Sequence, residues 1–98
     1  MMQNFEKVLW WLIGGTRGGK NRLKIIMMLE ERPANNNQVS EELDLDYKTV
    51  RHHIDLMKEH GVVTEAGEGY GKNYFLTEQM EQNLDKLEEI ANKAEIEI

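Results

Sequence analysis

The sequence predicts a mostly α fold with a small β-hairpin, an α+β class, with a helical domain over residues 1–77 and a C-terminal dimerisation helix over residues 78–98. Three observations predict it. Apolar residues recur at helical spacing through most of the chain. Two candidate helices are separated only by the turn Asp44-Leu45-Asp46. A strand, a glycine-rich loop and a second strand follow directly.

The first helix spans about residues 3–13, where Phe5, Val8, Leu9 and Leu12 share one face. Gly14-Gly15-Thr16-Arg17-Gly18-Gly19 breaks it, because glycine is costly inside a helix. A second helix runs from about Lys20 to Arg32. Leu23 and the block Ile25 to Leu29 make it apolar around much of its circumference, so it is buried on two sides, and Pro33 stops it. Asn35, Asn36 and Asn37 offer caps for a short third helix, about Gln38 to Leu43. A fourth helix, about Tyr47 to His60, ends at Gly61. Residues 62–65 and 73–77 then form the hairpin. From Glu78 onward, Met80, Leu84, Leu87, Ala91, Ala94 and Ile98 alternate at spacings of four and three, which predicts a heptad seam for pairing with a second copy, with packing back on its own domain as the alternative. Trp10 and Trp11 serve core or dimer packing on the first helix.

Composition removes several function classes. There is no cysteine among the 98 residues, so disulfides, thiolate metal sites and cysteine nucleophiles are excluded, in keeping with a reducing cytoplasm. The longest apolar run, Val8 to Ile13, is far short of the roughly 20 residues of a membrane span. The net charge of -6 argues at first against a polyanionic partner. Its distribution does not. Residues 78–98 carry seven acids and two bases, whereas Arg17, Lys20, Arg22 and Lys24 fall within eight residues that contain no acid.

Two helices, a tight turn and a following hairpin outline a winged helix-turn-helix. Placing Val50, Ile54 and Met57 on one side of the fourth helix, at about 100° per residue, puts Lys48, Arg51, His52 and Asp55 on the other. That outward face carries long donors able to reach phosphates or base edges in a major groove. Arg51 suits bidentate reading of guanine and Lys48 suits phosphate. Asp55 stands four residues after Arg51, where it orients that guanidinium or accepts from cytosine. His52, Thr49 and the hairpin tip are the alternative base readers. At the tip, Lys72 meets phosphate and Tyr70 packs on or bonds to the nucleic-acid backbone. Arg17, Lys20 and Arg22 are expected near that backbone too, at the entry of the second helix, with a solvated basic turn as the alternative.

The run Thr49-Val50-Arg51-His52-His53-Ile54-Asp55-Leu56-Met57-Lys58-Glu59-His60-Gly61-Val62-Val63 resembles the recognition helix of ArsR-like transcriptional regulators, whose pattern is Thr-Val-x-x-His-Leu-x-x-Leu-x-x-x-Gly-Leu-Val. Thr49, Val50, His53 and Gly61 match in type; Ile54, Met57, Val62 and Val63 match in character. Together with Gly15-Thr16-Arg17-Gly18-Gly19, Asn21-Arg22, Asp46-Tyr47 and Gly67-x-Gly69-Tyr70-Gly71, the chain also resembles a winged-helix group common in archaea, over about residues 14–80. The resemblance implies sequence-specific binding of double-stranded DNA by a homodimer; it matches the tail only in kind, and the dimerisation residues Met80, Leu84, Leu87, Ala91 and Ala94 are expected from the heptad spacing.

No cofactor or metal is expected. The ArsR-like metal sensors use cysteines, or histidines and acids on the last helix; this chain has no cysteine, and residues 78–98 have no histidine. His53 and His60 are seven residues apart, about 10 Å along a helix, too far to share one ion. Gly14-x-x-x-x-Gly19-Lys20 approaches a phosphate-binding loop, but Asn21 stands where a magnesium-binding Ser or Thr belongs and a helix precedes it where a strand is required. No catalytic base–nucleophile constellation is visible, so no enzyme is expected. The alternative is a winged-helix protein–protein interaction module of the transcription machinery.

Overall fold

A computed structural model describes residues 4–68 and 71–96. The element order is α1 (Asn4–Leu9), a π-helical turn (Trp10–Gly14), α2 (Gly19–Glu31), α3 (Asn36–Leu43), α4 (Tyr47–Glu59), β1 (Val63–Ala66), β2 (Asn73–Leu76), α5 (Glu78–Glu81) and α6 (Leu84–Lys93).

Local chemistry sets most of the boundaries. Asn35 and Gln38 form a reciprocal capping box, with Gln38 N donating to Asn35 Oδ1 at 2.8 Å and Asn35 N to Gln38 Oε1 at 2.9 Å. That starts α3 two residues before the expected Gln38. Asp46 caps α4 by accepting from Lys48 N at 2.9 Å. Thr77 caps α5, its Oγ1 accepting from Met80 N at 3.1 Å. The first helix departs from expectation. It widens to a π-turn from Trp10 to Gly14, whose last carbonyls find side-chain donors: Trp11 O accepts from Thr16 Oγ1 at 3.0 Å and Leu12 O from Arg22 Nε at 2.6 Å.

The core gathers around α2, whose Leu23, Ile25 and Ile26 are fully enclosed by the π-turn, α3 and β2. Leu9, Leu12, Ile13, Val39, Val50, Ile54, Met57, Val62 and Met80 complete it. The hairpin is antiparallel, Val63 opposite Leu76 and Ala66 opposite Asn73. Ala34, just after Pro33, adds a bridge to Tyr74 with bonds of 2.8 and 3.3 Å, so the exit of α2 pins the hairpin.

The C-terminal segment corrects the expected seam. One continuous helix is predicted from Glu78; two form, bending at Gln82–Asn83, where Asn83 Nδ2 donates to Gln79 O at 2.8 Å. Met80, Leu87 and Ala91 are buried inside the protomer, and so is Ile90, which lies off the heptad seam. A face as broad as Leu87, Ile90 and Ala91 is that of a helix packed on its own domain, wider than a two-residue coiled-coil stripe. It lies against α1 and the π-turn, with Lys86 and Glu6 paired at 3.8 Å. Leu84 and Ala94 remain half-buried, and Ile98 lies outside the described residues.

Candidate nucleic-acid interface

Helix α4 divides cleanly. Val50, Ile54 and Met57 have no exposed surface, and each lies on the inward side. Lys48, Arg51, His52 and Asp55 are exposed opposite them, and Thr49 is half-buried at their margin. The division follows from spacing: once three apolar side chains at i, i+4 and i+7 are sunk in a core, the residues on the opposite side of the helix face solvent. Arg51 Nε donates to Asp55 Oδ2 at 3.4 Å across one turn, which fixes the guanidinium along the helix. The Asp55 charge also holds the Arg51 guanidinium above its ordinary pKa.

A polar groove of about 390 Å³ separates α4 from the hairpin and from the start of α3. Arg51, Asp55 and Lys58 line its α4 wall, Glu65 and Lys72 its hairpin wall, and Tyr47 its mouth. Glu65 accepts from Lys58 Nζ at 2.8 Å and lies 3.6 Å from Lys72 Nζ. The bond from Lys58 keeps the Glu65 carboxyl below the usual carboxylate range. Glu65 thus ties the recognition helix to the wing and occupies two cations at once. Sequence reasoning passed over Lys58 and Glu65, which are 7 positions apart and meet only when β1 turns back beside α4. It also passed over Tyr47, whose exposure of 48% at the first position of α4 is unusual for so large an apolar ring. Tyr70, predicted at the hairpin tip, lies outside the described residues. Lys72 is exposed.

The basic cluster before α2 splits. Arg17, Lys20 and Lys24 are exposed. Arg22, which the sequence places beside DNA, is 3% exposed and turned inward. Its Nε donates to Leu12 O at 2.6 Å and its Nη2 to Arg17 O at 3.0 Å and to Thr16 Oγ1; its Nη1 lies 3.2 Å from His53 Nδ1. The physical reason is the π-turn. It presents a bare carbonyl to the interior, and a guanidinium carries enough rigidly held donors to answer that carbonyl and three further acceptors. Arg22 is therefore a cross-link in the interior, unable to reach a phosphate from there.

The near-miss glycine loop has the same explanation. Gly18 adopts φ of 85°, and a Cβ there would stand 2.7 Å from His53 Cε1. A Cβ on Gly19 would stand 1.9 Å from Ile13 O. The two glycines let the start of α2 pass directly over the π-turn and over the His53 ring, a packing need with no phosphate involved. His60 lies apart from this network, edge-on to Trp11 with ring centroids 5.3 Å apart. Among the described residues no three His, Asp or Glu side chains converge as a metal site requires, and no helix is long and apolar enough to cross a membrane.

Comparison with known proteins matches this architecture. Residues 19–65, from the first residue of α2 into β1, match the model of the arsR family of bacterial regulatory proteins. A probable transcriptional regulator from Pseudomonas aeruginosa superposes with a TM-score of 0.68 at 18% identity, covering 91% of this chain and 73% of its own. HlyU from Vibrio cholerae superposes with a TM-score of 0.67 at 19% identity, covering 92% of this chain and 97% of its own. No curated protein matches the sequence. At such identities the superpositions speak for the fold, and they extend it on both sides of the matched segment.

Proposed function

We propose that this ArsR-like winged helix-turn-helix chain is a regulator of transcription that binds specific double-stranded DNA as a homodimer, with no catalytic role. The observation that carries the reading is the two-sidedness of α4. Every inward residue that the family pattern requires to be apolar is buried, and the opposite face offers Lys48, Arg51 and His52 to a groove. In this reading Arg51, oriented by Asp55, reads a base, with His52 and Thr49 beside it. Lys48, Lys72, Arg17 and Lys20 meet phosphates, which fix register without reading sequence.

Dimerisation rests on what α5 and α6 have left to offer. Met80, Leu87 and Ala91 are already spent inside the chain, so among the described residues Leu84 and Ala94 are the seam members still open to a second copy. Sedimentation of the wild type against Leu84→Glu tests that edge; a dimer unmoved by the change places the interface elsewhere.

Selection of bound sites from random duplexes tests the function. An enriched inverted repeat is the expected result, because a two-fold protein reads a two-fold site. Asp55 and Glu65 on the same surface favour one rival, a protein-interaction module of the same fold. That rival predicts no duplex enriched over background.

A further inference from the structure

Arg22 joins three parts of the chain that are distant in sequence. Its Nε holds the π-turn at Leu12 O, its Nη2 holds the connecting loop at Arg17 O and Thr16 Oγ1, and its Nη1 meets His53 on α4. Both partners of the last contact are buried, Arg22 at 3% and His53 at 6% exposure. The chemistry of that contact fixes a protonation state. A guanidinium has five donors and no acceptor, and it stays charged in proteins. A nitrogen facing it must carry a lone pair. His53 Nδ1 is therefore bare and its proton sits on Nε2.

We infer that Arg22 is a positioning residue for the recognition helix, and that its bond to His53 holds α4 against the body of the protein only while the His53 ring is neutral. A proton on Nδ1 removes the acceptor and sets two cations about 3 Å apart in the interior. The charged groups acting on the ring are Arg22 from α2 and His52 from its own helix, and among the described residues no carboxylate is paired with it. Gly18, from the connecting loop, contributes only backbone at the ring edge. The ring also sits below the ordinary histidine value of 6.5, first through burial, then through Arg22, then through His52. The sign follows. Below 6.5 the unfolded chain takes up a proton that the folded chain refuses, so stability is complete above that pH and declines as pH falls beneath it.

The consequence for DNA affinity runs through His53, which lies inside, where a proton loosens the helix and weakens binding. The inference rests on the DNA-binding reading for its consequence, but its structural half can be measured without DNA.

The first measurement is the ¹⁵N spectrum of the wild-type histidine rings. A bare Nδ1 on His53, with Nε2 protonated, is expected; an Nδ1–H tautomer overturns the inference whatever the protein binds. The second is fluorescence anisotropy on the selected duplex at pH 7.5 and pH 5.6, both above the pI of about 5.0, with salt held constant. His52→Gln clears the adjacent exposed imidazole from the outward face, so that the measurement reads His53. In that background affinity should fall roughly two- to fivefold on acidification. Adding His53→Asn, which keeps an acceptor where Nδ1 was and cannot titrate, should abolish the fall while preserving affinity at pH 7.5. An equal fall in both backgrounds overturns the assignment to His53. If no duplex is bound at either pH, the DNA-binding reading fails, and the ring tautomer still decides the Arg22 link.

Discussion

Arg22 and Arg51 both read, in sequence, as candidate contacts to a polyanion, and they end in opposite environments. Arg51 stands on the exposed face of α4 with a carboxylate one turn away. Arg22 stands in the interior with carbonyls, a hydroxyl and an imidazole around it. The difference comes from the helix face each residue shares. Arg51 lies opposite Val50, Ile54 and Met57 on α4, so periodicity turns it to solvent. Arg22 lies on the same face of α2 as Ile25, Ile26 and Leu29, so the same periodicity turns it inward, where the preceding glycine-rich turn supplies acceptors for it. A cluster of basic residues is thus a poor guide to a binding surface unless each member is placed on its helix face.

Five changes would break or sharpen this contrast. Gly19→Ala should be the most damaging, since its Cβ would overlap the carbonyl of Ile13, a backbone atom. A cost of about 3 kcal/mol or more is expected, read from the urea midpoint. Unchanged stability would mean that the π-turn is not packed against α2.

Arg22→Ala should come next, at about 2–4 kcal/mol, because it strands the carbonyl of Leu12 and the hydroxyl of Thr16. Its affinity for DNA at neutral pH should fall beyond the loss of folded protein, because α4 loses the bond from Arg22 to His53 that positions it. If instead it leaves the melting temperature intact and flattens the salt dependence of binding, Arg22 belongs with the phosphate contacts after all.

Arg51→Ala should do the reverse. Its removal should leave thermal stability nearly unchanged, because Val50, Ile54 and Met57 are untouched. Binding to the selected site should weaken roughly tenfold to a hundredfold, with relaxed preference at one base pair per half-site. Retained preference in a competition against single-base variants would move base reading to His52 or Thr49.

Lys20→Ala should have the smallest effect. It should weaken all duplexes alike and reduce the slope of log affinity against log salt by roughly 0.9. Glu65→Gln makes the complementary change by releasing Lys58 and Lys72, and should steepen that slope by up to about 0.9 per freed cation. Slopes that do not move in either variant would leave the groove wall outside the interface.

Most of the fold was legible because it is local. The capping residue Asn35, the stop at Pro33 and the apolar spacing of α2 and α4 each act within one or two turns of where they stand. The outward face of α4 was legible for the same reason. The destination of the C-terminal helix was not. The spacing of Met80, Leu87 and Ala91 states that one face is apolar, and an apolar face is satisfied equally by a second copy or by α1 and the π-turn of the same chain. Ile90 broadens that face toward the second outcome.

By itself, then, the sequence determined the helix-turn-helix, the wing after it and which side of α4 meets solvent, since periodicity and capping operate over a few residues. The tertiary structure alone decided three things: the burial of Arg22 against His53, the close passage of Gly18 and Gly19, and the latch of Lys58, Glu65 and Lys72. Each depends on groups brought together from separate elements. Whether a polar side chain is a surface donor or an interior cross-link depends on acceptors whose position no spacing in the sequence records.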